Sequence, residues 1–160
     1  MLSDNWELLF QSKSDLRKRT NVACLLAYYN GTKYINEQLQ SIINQKQEFF
    51  DLSIFICDDN SEGNFPSLDS LNININIDLK IFYRNSNFNL GYAKNFIYSL
   101  NLIDSQFDFY CFSDQDDVWL PNKLEKAIRT IENFSTNKPI LYGGRTTYYD
   151  AECSNKIGYS

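Results

Sequence analysis

Two kinds of segment alternate along the chain. Residues 22–29 (VACLLAYY) and 52–57 (LSIFIC) are near-continuous apolar runs, the pattern of strands buried on both faces. Phe107, Phe109, Tyr110, Cys111 and Phe112 make a third such run, read as a buried strand over 108–113. Residues 80–84 (KIFYR) and 140–149 (ILYGGRTTYY) are also strand-like, the latter around Gly143-Gly144. Between the strands lie helical patterns. Residues 33–46 carry Tyr34, Ile35, Leu39, Ile42 and Ile43 at helical spacing. Residues 92–103 and 121–134 read as helices, with Pro121 suited to a first turn. Residues 4–19 also read as a helix, with Trp6, Leu9, Phe10 and Leu16 on one face and Arg17-Lys18-Arg19 at its end. Residues 64–79 stay open: LNININIDL alternates like a strand but is rich in Asn, which suits a loop or a distorted helix.

The order β-α-β-(α?)-β-α-β-α-β calls for a mainly parallel, doubly wound sheet with helices on both faces. Residues 1–20 then form a helical extension and 21–160 the domain proper. Ligands of such sheets bind beyond the carboxyl ends of the strands. Three polar clusters fall there: Tyr28-Tyr29-Asn30, Asp58-Asp59-Asn60-Ser61 and Asp114-Gln115-Asp116-Asp117. Each follows its own apolar run, which points to one shared site. Asn30-Gly31-Thr32 reads as a turn and helix cap.

Composition narrows the function by exclusion. The net charge of −5 argues against a nucleic-acid binder, whose surface is basic. No run of about 18 apolar residues exists to span a bilayer. The N-terminus carries acids where a signal peptide needs bases, so the expected location is the cytoplasm. The basic triplet at 17–19 is a solvated helix end, or else a contact with a partner or with the inner face of the membrane. Cys24, Cys57, Cys111 and Cys153 form no CxxC pair and read as free thiols. The chain has no histidine, which removes Ser-His and Cys-His catalysis and most zinc sites.

The acidic turn carries the chemistry. Crowded carboxylates repel unless a cation sits among them. Hard oxygen ligands favour Mg²⁺ or Mn²⁺, ions that keep waters and also hold a substrate phosphate. Asp58 and Asp59 suit ligand binding, with capping of the loop that follows them as the alternative.

Four motifs in order, LLAYYNGTKYINEQLQSIINQ, IFICDDNSEGN, YRNSNFNLGYAKNF and FSDQDDVWLPNKL, resemble the inverting family-two glycosyltransferases of the GT-A fold, from about residue 22 to 149. DQDDVWLPNKL looks most like the rhamnosyltransferase-like branch. The resemblance implies a GT-A, Rossmann-like sheet and metal-assisted sugar transfer with inversion. The donor is a nucleotide-diphosphate sugar of UDP or dTDP type. The acceptor hydroxyl belongs to a glycan or a lipid-linked molecule, as in bacterial polysaccharide synthesis. It also implies roles for single residues. Ala27 and Tyr29 line the base pocket, with Tyr29 against the ring. Asp59 accepts a pyrimidine ring N–H, and Asp58 supports the loop. Arg84 and Lys94 lie beside the nucleotide. Asp114 and Asp116 form the DxD motif, with Asp114 nearer the ribose and Asp116 on the metal.

One part of the family pattern is missing. Inverting transfer needs a base, usually a carboxylate, to take the acceptor proton. Asp150 and Glu152 are the last acids, and neither matches the family's base motif. The chain is therefore expected to be the donor-binding portion, with a non-catalytic nucleotide-sugar-binding module as the alternative. DQDDV also fits the DxDx(T/V) pattern of haloacid-dehalogenase-type phosphatases, but that reading leaves Asp58-Asp59 and Asn89-Leu90-Gly91 unexplained. No GxGxxG follows the first apolar run, which disfavours a dinucleotide-binding dehydrogenase.

Overall fold

The computed structural model describes residues 5–11 as backbone, and residues 19–73, 77–103, 106–134, 136–150 and 155–160 in full. They belong to two compact units, Met1–Pro121 and Asn122–Ser160.

The first unit is a five-stranded sheet flanked by helices. Its strands are β1 (Asn5–Gln11), β2 (Thr20–Tyr28), β3 (Phe50–Asp58), β4 (Ile77–Asn85) and β5 (Phe109–Ser113), in spatial order β1-β4-β3-β2-β5. β2, β3, β4 and β5 run parallel, and β1 is antiparallel to β4. Every residue of β3 is buried, as are residues 22–28 of β2. These two strands form the middle of the sheet, and their Val, Leu, Ile and Phe side chains make its core. α1 (Ile35–Ile43) buries Ile35, Leu39, Ile42 and Ile43, the stripe its spacing predicts. α2 (Tyr92–Leu100) packs on β2 and β3 with a polar stripe instead, burying Asn95 and Ser99. Asn95 Nδ2 donates to the carbonyl of Cys57 at 2.8 Å, so a polar side chain is needed on that face.

In this unit three expectations are corrected and one open reading is settled. The helix expected over residues 4–19 is a strand where it is described: β1 pairs along the outer edge of β4. Trp6, Leu8 and Phe10 also recur every two residues, and the unpaired N–H and C=O groups of β4 reward a strand there. Residues 12–18, with the basic Arg17 and Lys18, lie outside the described residues. β5 is an edge strand and not a buried one: Tyr110 and Phe112 are 41% and 45% exposed, because β5 has a neighbour, β2, on one side among the described residues. The connection from β3 to β4 contains no helix among the described residues, and β4 starts at Ile77, earlier than the apolar run suggests. The cap expected at Asn30-Gly31-Thr32 is absent: α1 begins at Ile35, its N-cap Tyr34 makes no side-chain cap, and Thr32 pairs its hydroxyl with that of Tyr28.

The second unit holds α3 (Lys123–Glu132) and a two-stranded antiparallel sheet of β6 (Thr147–Tyr149) and β7 (Lys156–Tyr159). The strand expected over residues 140–149 is confined to β6, since residues 140–146 are irregular around Gly143-Gly144. Pro121 precedes α3 by two positions, in a turn, rather than occupying its first turn.

Candidate functional site at the carboxyl edge of the sheet

Strand order decides where the three polar clusters meet. β3, β2 and β5 are neighbours and parallel, so Tyr28-Tyr29-Asn30, Asp58-Asp59-Asn60-Ser61 and the acidic turn leave the sheet side by side. From β2 the chain moves through β3 to β4 on one side, then returns to place β5 on the other. The point between β2 and β5 is the topological switch point, where loops splay apart and leave a crevice.

The loops are stitched to one another by side chains. Asn30 and Asn60 each stand two residues past a strand end, with φ of 49° and 65°. That left-handed conformation is one Asn tolerates better than most residues. It frees both side chains for the neighbouring loop. Asn30 Oδ1 accepts from the Glu62 amide at 2.8 Å, and Asn60 Oδ1 accepts from the Ser86 amide at 3.2 Å. Ser61 Oγ returns the contact by accepting from the Asn30 amide at 2.9 Å.

Asp59 is the centre of this stitching and is 1% exposed. Its Oδ1 accepts from Arg84 Nε at 2.9 Å. Its Oδ2 accepts from the amides of Leu90 at 2.6 Å and Gly91 at 2.9 Å. Gly91 sits at φ 81°, which suits glycine and lets two successive amides face one carboxylate. The carboxylate thus lies at the N-terminal end of α2, where negative charge is favoured. Arg84 is fully buried, and its Nη2 also donates to the carbonyl of Phe88. The structure places Arg84 behind Asp59, holding it. Asp58 is 2% exposed and accepts from the Ser61 amide at 2.9 Å through Oδ1. Burial, then the neighbouring Asp59, pushes the Asp58 carboxyl above the ordinary carboxylate value, against the lowering effect of Ser61.

The acidic turn is pinned at both ends by α1. Gln38 Nε2 donates to Ser113 Oγ at 2.6 Å. Past the turn, the Trp119 amide donates to Ser41 Oγ at 2.9 Å, and Gln45 Nε2 donates to the Leu120 carbonyl at 2.8 Å. The Lys46 amide donates to the Pro121 carbonyl at 2.8 Å. Asp114, Asp116 and Asp117 are exposed between these pins. They do not gather as a closed set: no group of three or more Asp, Glu, Cys or His that could enclose a metal occurs among the described residues. Gln115 turns inward between exposed acids. A hard divalent ion needs only one or two carboxylates when a substrate phosphate and waters complete its shell. Asp114 and Asp116 are both exposed and so available as carboxylates to such an open site.

The remaining expected residues divide clearly. Ala27 is buried at the end of β2, and Tyr29 is 41% exposed on the loop beside it. Lys94 is exposed in the first turn of α2. Asp150 accepts from the amide and the side chain of Asn155, at 3.0 and 2.7 Å, and so belongs to its hairpin. Glu152 lies outside the described residues. Sequence reasoning missed Gln38, Asn30, Asn60 and Gln115 as organisers. For Asn30 and Asn60 the signal available was an Asn just past each of the first two apolar runs.

This arrangement is matched among known proteins. A dTDP-rhamnosyl transferase, RfbG, of Shigella flexneri is 39% identical over 105 residues, 64% of this chain and 35% of that protein. An uncharacterized glycosyltransferase of Haemophilus influenzae is 30% identical over 111 residues, 69% of this chain and 32% of that protein. The crystal structure of Staphylococcus aureus TarS 1–349 in complex with UDP-GlcNAc superposes with a TM-score of 0.54 at 23% identity, covering 71% of this chain and 31% of that one, a likeness of fold. The chain thus spans about a third of the length of these proteins. The profile described as "Glycosyl transferase family 2" matches residues 24–152, taking in the switch point and the acidic turn that the phosphatase pattern explained only in isolation. With both covered by one profile on a mainly parallel sheet, the chain belongs to glycosyl transferase family 2 and has its GT-A fold.

Proposed function

We propose that this chain binds the nucleotide-diphosphate sugar of a metal-assisted, inverting glycosyl transfer, in the synthesis of a bacterial polysaccharide or related glycan. The observation that carries this reading is the strand order, which sets Tyr29, Asp59 and the acidic turn side by side at the switch point. The exposed face of Tyr29 suits a nucleobase ring. Asp59, fixed by three donors, keeps one acceptor position on Oδ1 for a ring N–H. Lys94 is the exposed cation near the start of α2, suited to the charge of the diphosphate. Arg84 acts through Asp59. Asp114 and Asp116 would hold Mg²⁺ or Mn²⁺, which when bound supplies charge stabilisation for the departing diphosphate. The likeness to a dTDP-rhamnosyl transferase favours a deoxyhexose donor on dTDP, with UDP as the other choice. The acceptor is a glycan or lipid-linked hydroxyl.

The general base is not assigned to these residues. Inversion is a displacement, so the base acts from the side opposite the leaving diphosphate, and Asp114 and Asp116 are on the wrong side. The chain is the donor-binding portion of the reaction. A thermal-shift screen of UDP-, dTDP- and GDP-sugars with and without Mn²⁺ tests the donor role, since a ligand of the folded state raises its stability. A time course separating free sugar from glycosylated acceptor tests the rest. Little acceptor glycosylation is expected, because loss of a base costs about 10²–10⁴-fold in rate. Transfer at ordinary enzyme rates, abolished by Asp150→Asn or Glu152→Gln, would place the base within this chain.

A further inference from the structure

The middle residue of the acidic turn is the one that faces inward. Gln115 Oε1 accepts from the Tyr29 amide at 2.8 Å, a bond that crosses from β5 to β2 at the switch point. Its amide group also fills the space above Gly31. A Cβ added to Gly31 would lie 2.4 Å from both Cδ and Oε1 of Gln115, and 2.9 Å from Nε2. Gly31 is not at positive φ, so its lack of a side chain serves this contact and not a backbone turn. The turn carrying Tyr29 is fastened on its other side by Asn30 to the β3 loop. Gln115 fastens it to the acidic turn.

We propose that Gln115 is a positioning residue that sets Asp114 and Asp116 relative to Tyr29, so that base and diphosphate are engaged together. The inference rests on the donor-binding reading. The geometry makes the requirement plain. α1 pins the acidic turn at Ser113 and Trp119, Ser113 Oγ donates to the Asp114 carbonyl at 2.9 Å, and Gln115 is the contact that registers the turn against the loop carrying Tyr29. A ligand that touches Tyr29 at one end and the acids at the other gains from both only if their separation is fixed in advance. Without the bond, the ligand must itself fix the turn relative to Tyr29 and binds more weakly.

The test is titration of UDP and dTDP in Mn²⁺ against the chain and its Gln115→Ala, Gly31→Ala and doubly substituted forms, with UMP and dTMP as controls lacking the second phosphate. Gln115→Ala is expected to weaken the diphosphates about tenfold, the loss of one positioned hydrogen bond, and to leave the monophosphates within about twofold. Gly31→Ala should reproduce the loss by pushing the flexible amide aside. The double form should be no weaker than Gln115→Ala, because the space is then empty. Hydrogen exchange at the Tyr29 amide should quicken in Gln115→Ala and stay slow in Gln115→Glu, which retains an acceptor oxygen. Equal losses for mono- and diphosphates, additive losses in the double form, or unchanged diphosphate affinity in Gln115→Ala would each overturn the inference while leaving donor binding intact. A parent chain that binds neither diphosphate sinks the donor reading, and this inference with it.

Discussion

Arg84 buries its guanidinium against Asp59, Nε to Oδ1 at 2.9 Å, with the side chains 0% and 2% exposed. Two charges withdrawn from water this far are tolerable only together, and Asp59 is held further by the Leu90 and Gly91 amides. The pair therefore ties the end of β3 to β4 and to the start of α2. The acid proposed to meet the nucleobase is also the keystone of the loops around it.

Asp59→Asn should accordingly lose stability as well as nucleotide affinity. The amide leaves the Arg84 charge buried without its counter-charge, a change that costs about 3–5 kcal/mol in comparable buried pairs. Urea denaturation measures it. Asp59→Asn with the stability of the parent chain would show that the pair is not a structural tie.

Asp58→Asn should behave oppositely. The folded Asp58 carboxyl is raised above 3.8 by burial, so in the folded chain it holds its proton more tightly than in the unfolded one. Stability then falls as pH rises from the ordinary carboxylate value through the raised folded value, and the loss persists at neutral pH. The substituting amide keeps an oxygen for the Ser61 N–H and carries no charge. Urea titrations from pH 4 to 8 should find Asp58→Asn at least as stable as the parent at pH 7, its advantage shrinking as pH falls. An advantage that grows towards low pH would refute this assignment.

Metal dependence should reside in the outer acids of the turn. Calorimetric titration of UDP or dTDP is expected to show tighter binding with Mn²⁺ than with EDTA. Asp116→Asn should remove at least about tenfold of that gain, the scale of loss seen when even the partners of a metal ligand are disturbed. Equal affinity in Mn²⁺ and EDTA for the parent chain would remove the metal from the donor site.

The thiols should differ sharply. Cys57 is buried, and desolvation raises its thiol to about 12 against the lowering effect of a Ser99 hydrogen bond. Cys24 is buried in β2, whereas Cys111 is partly exposed on β5. In a Cys153→Ser background, a disulfide reagent at pH 8 should modify Cys111 under native conditions and reach Cys24 and Cys57 only on unfolding. Native labelling of Cys57 would contradict the closed packing of α2 on β3.

The sequence by itself determined the parallel core and the edge at which its polar clusters emerge. Continuous apolar runs such as LLAYY and LSIFIC can be buried only on both faces, and a polar cluster after each must emerge at the same edge when the strands are parallel. What it left open were choices made by partners distant in the chain. WELLF satisfies a helical and a strand spacing alike, and the open edge of β4 decides for a strand. FYCF reads as fully buried, yet its place at the sheet edge exposes Tyr110 and Phe112. Arg84 looks like a free cation beside a ligand until folding brings it to Asp59, 25 residues away. Gln115 looks like a spacer between two acids until β5 settles against β2 and its amide finds Tyr29 and the bare Cα of Gly31. Local pattern records how a segment meets water. Which hydrogen-bonding group it faces is fixed only once strand order sets the loops beside one another.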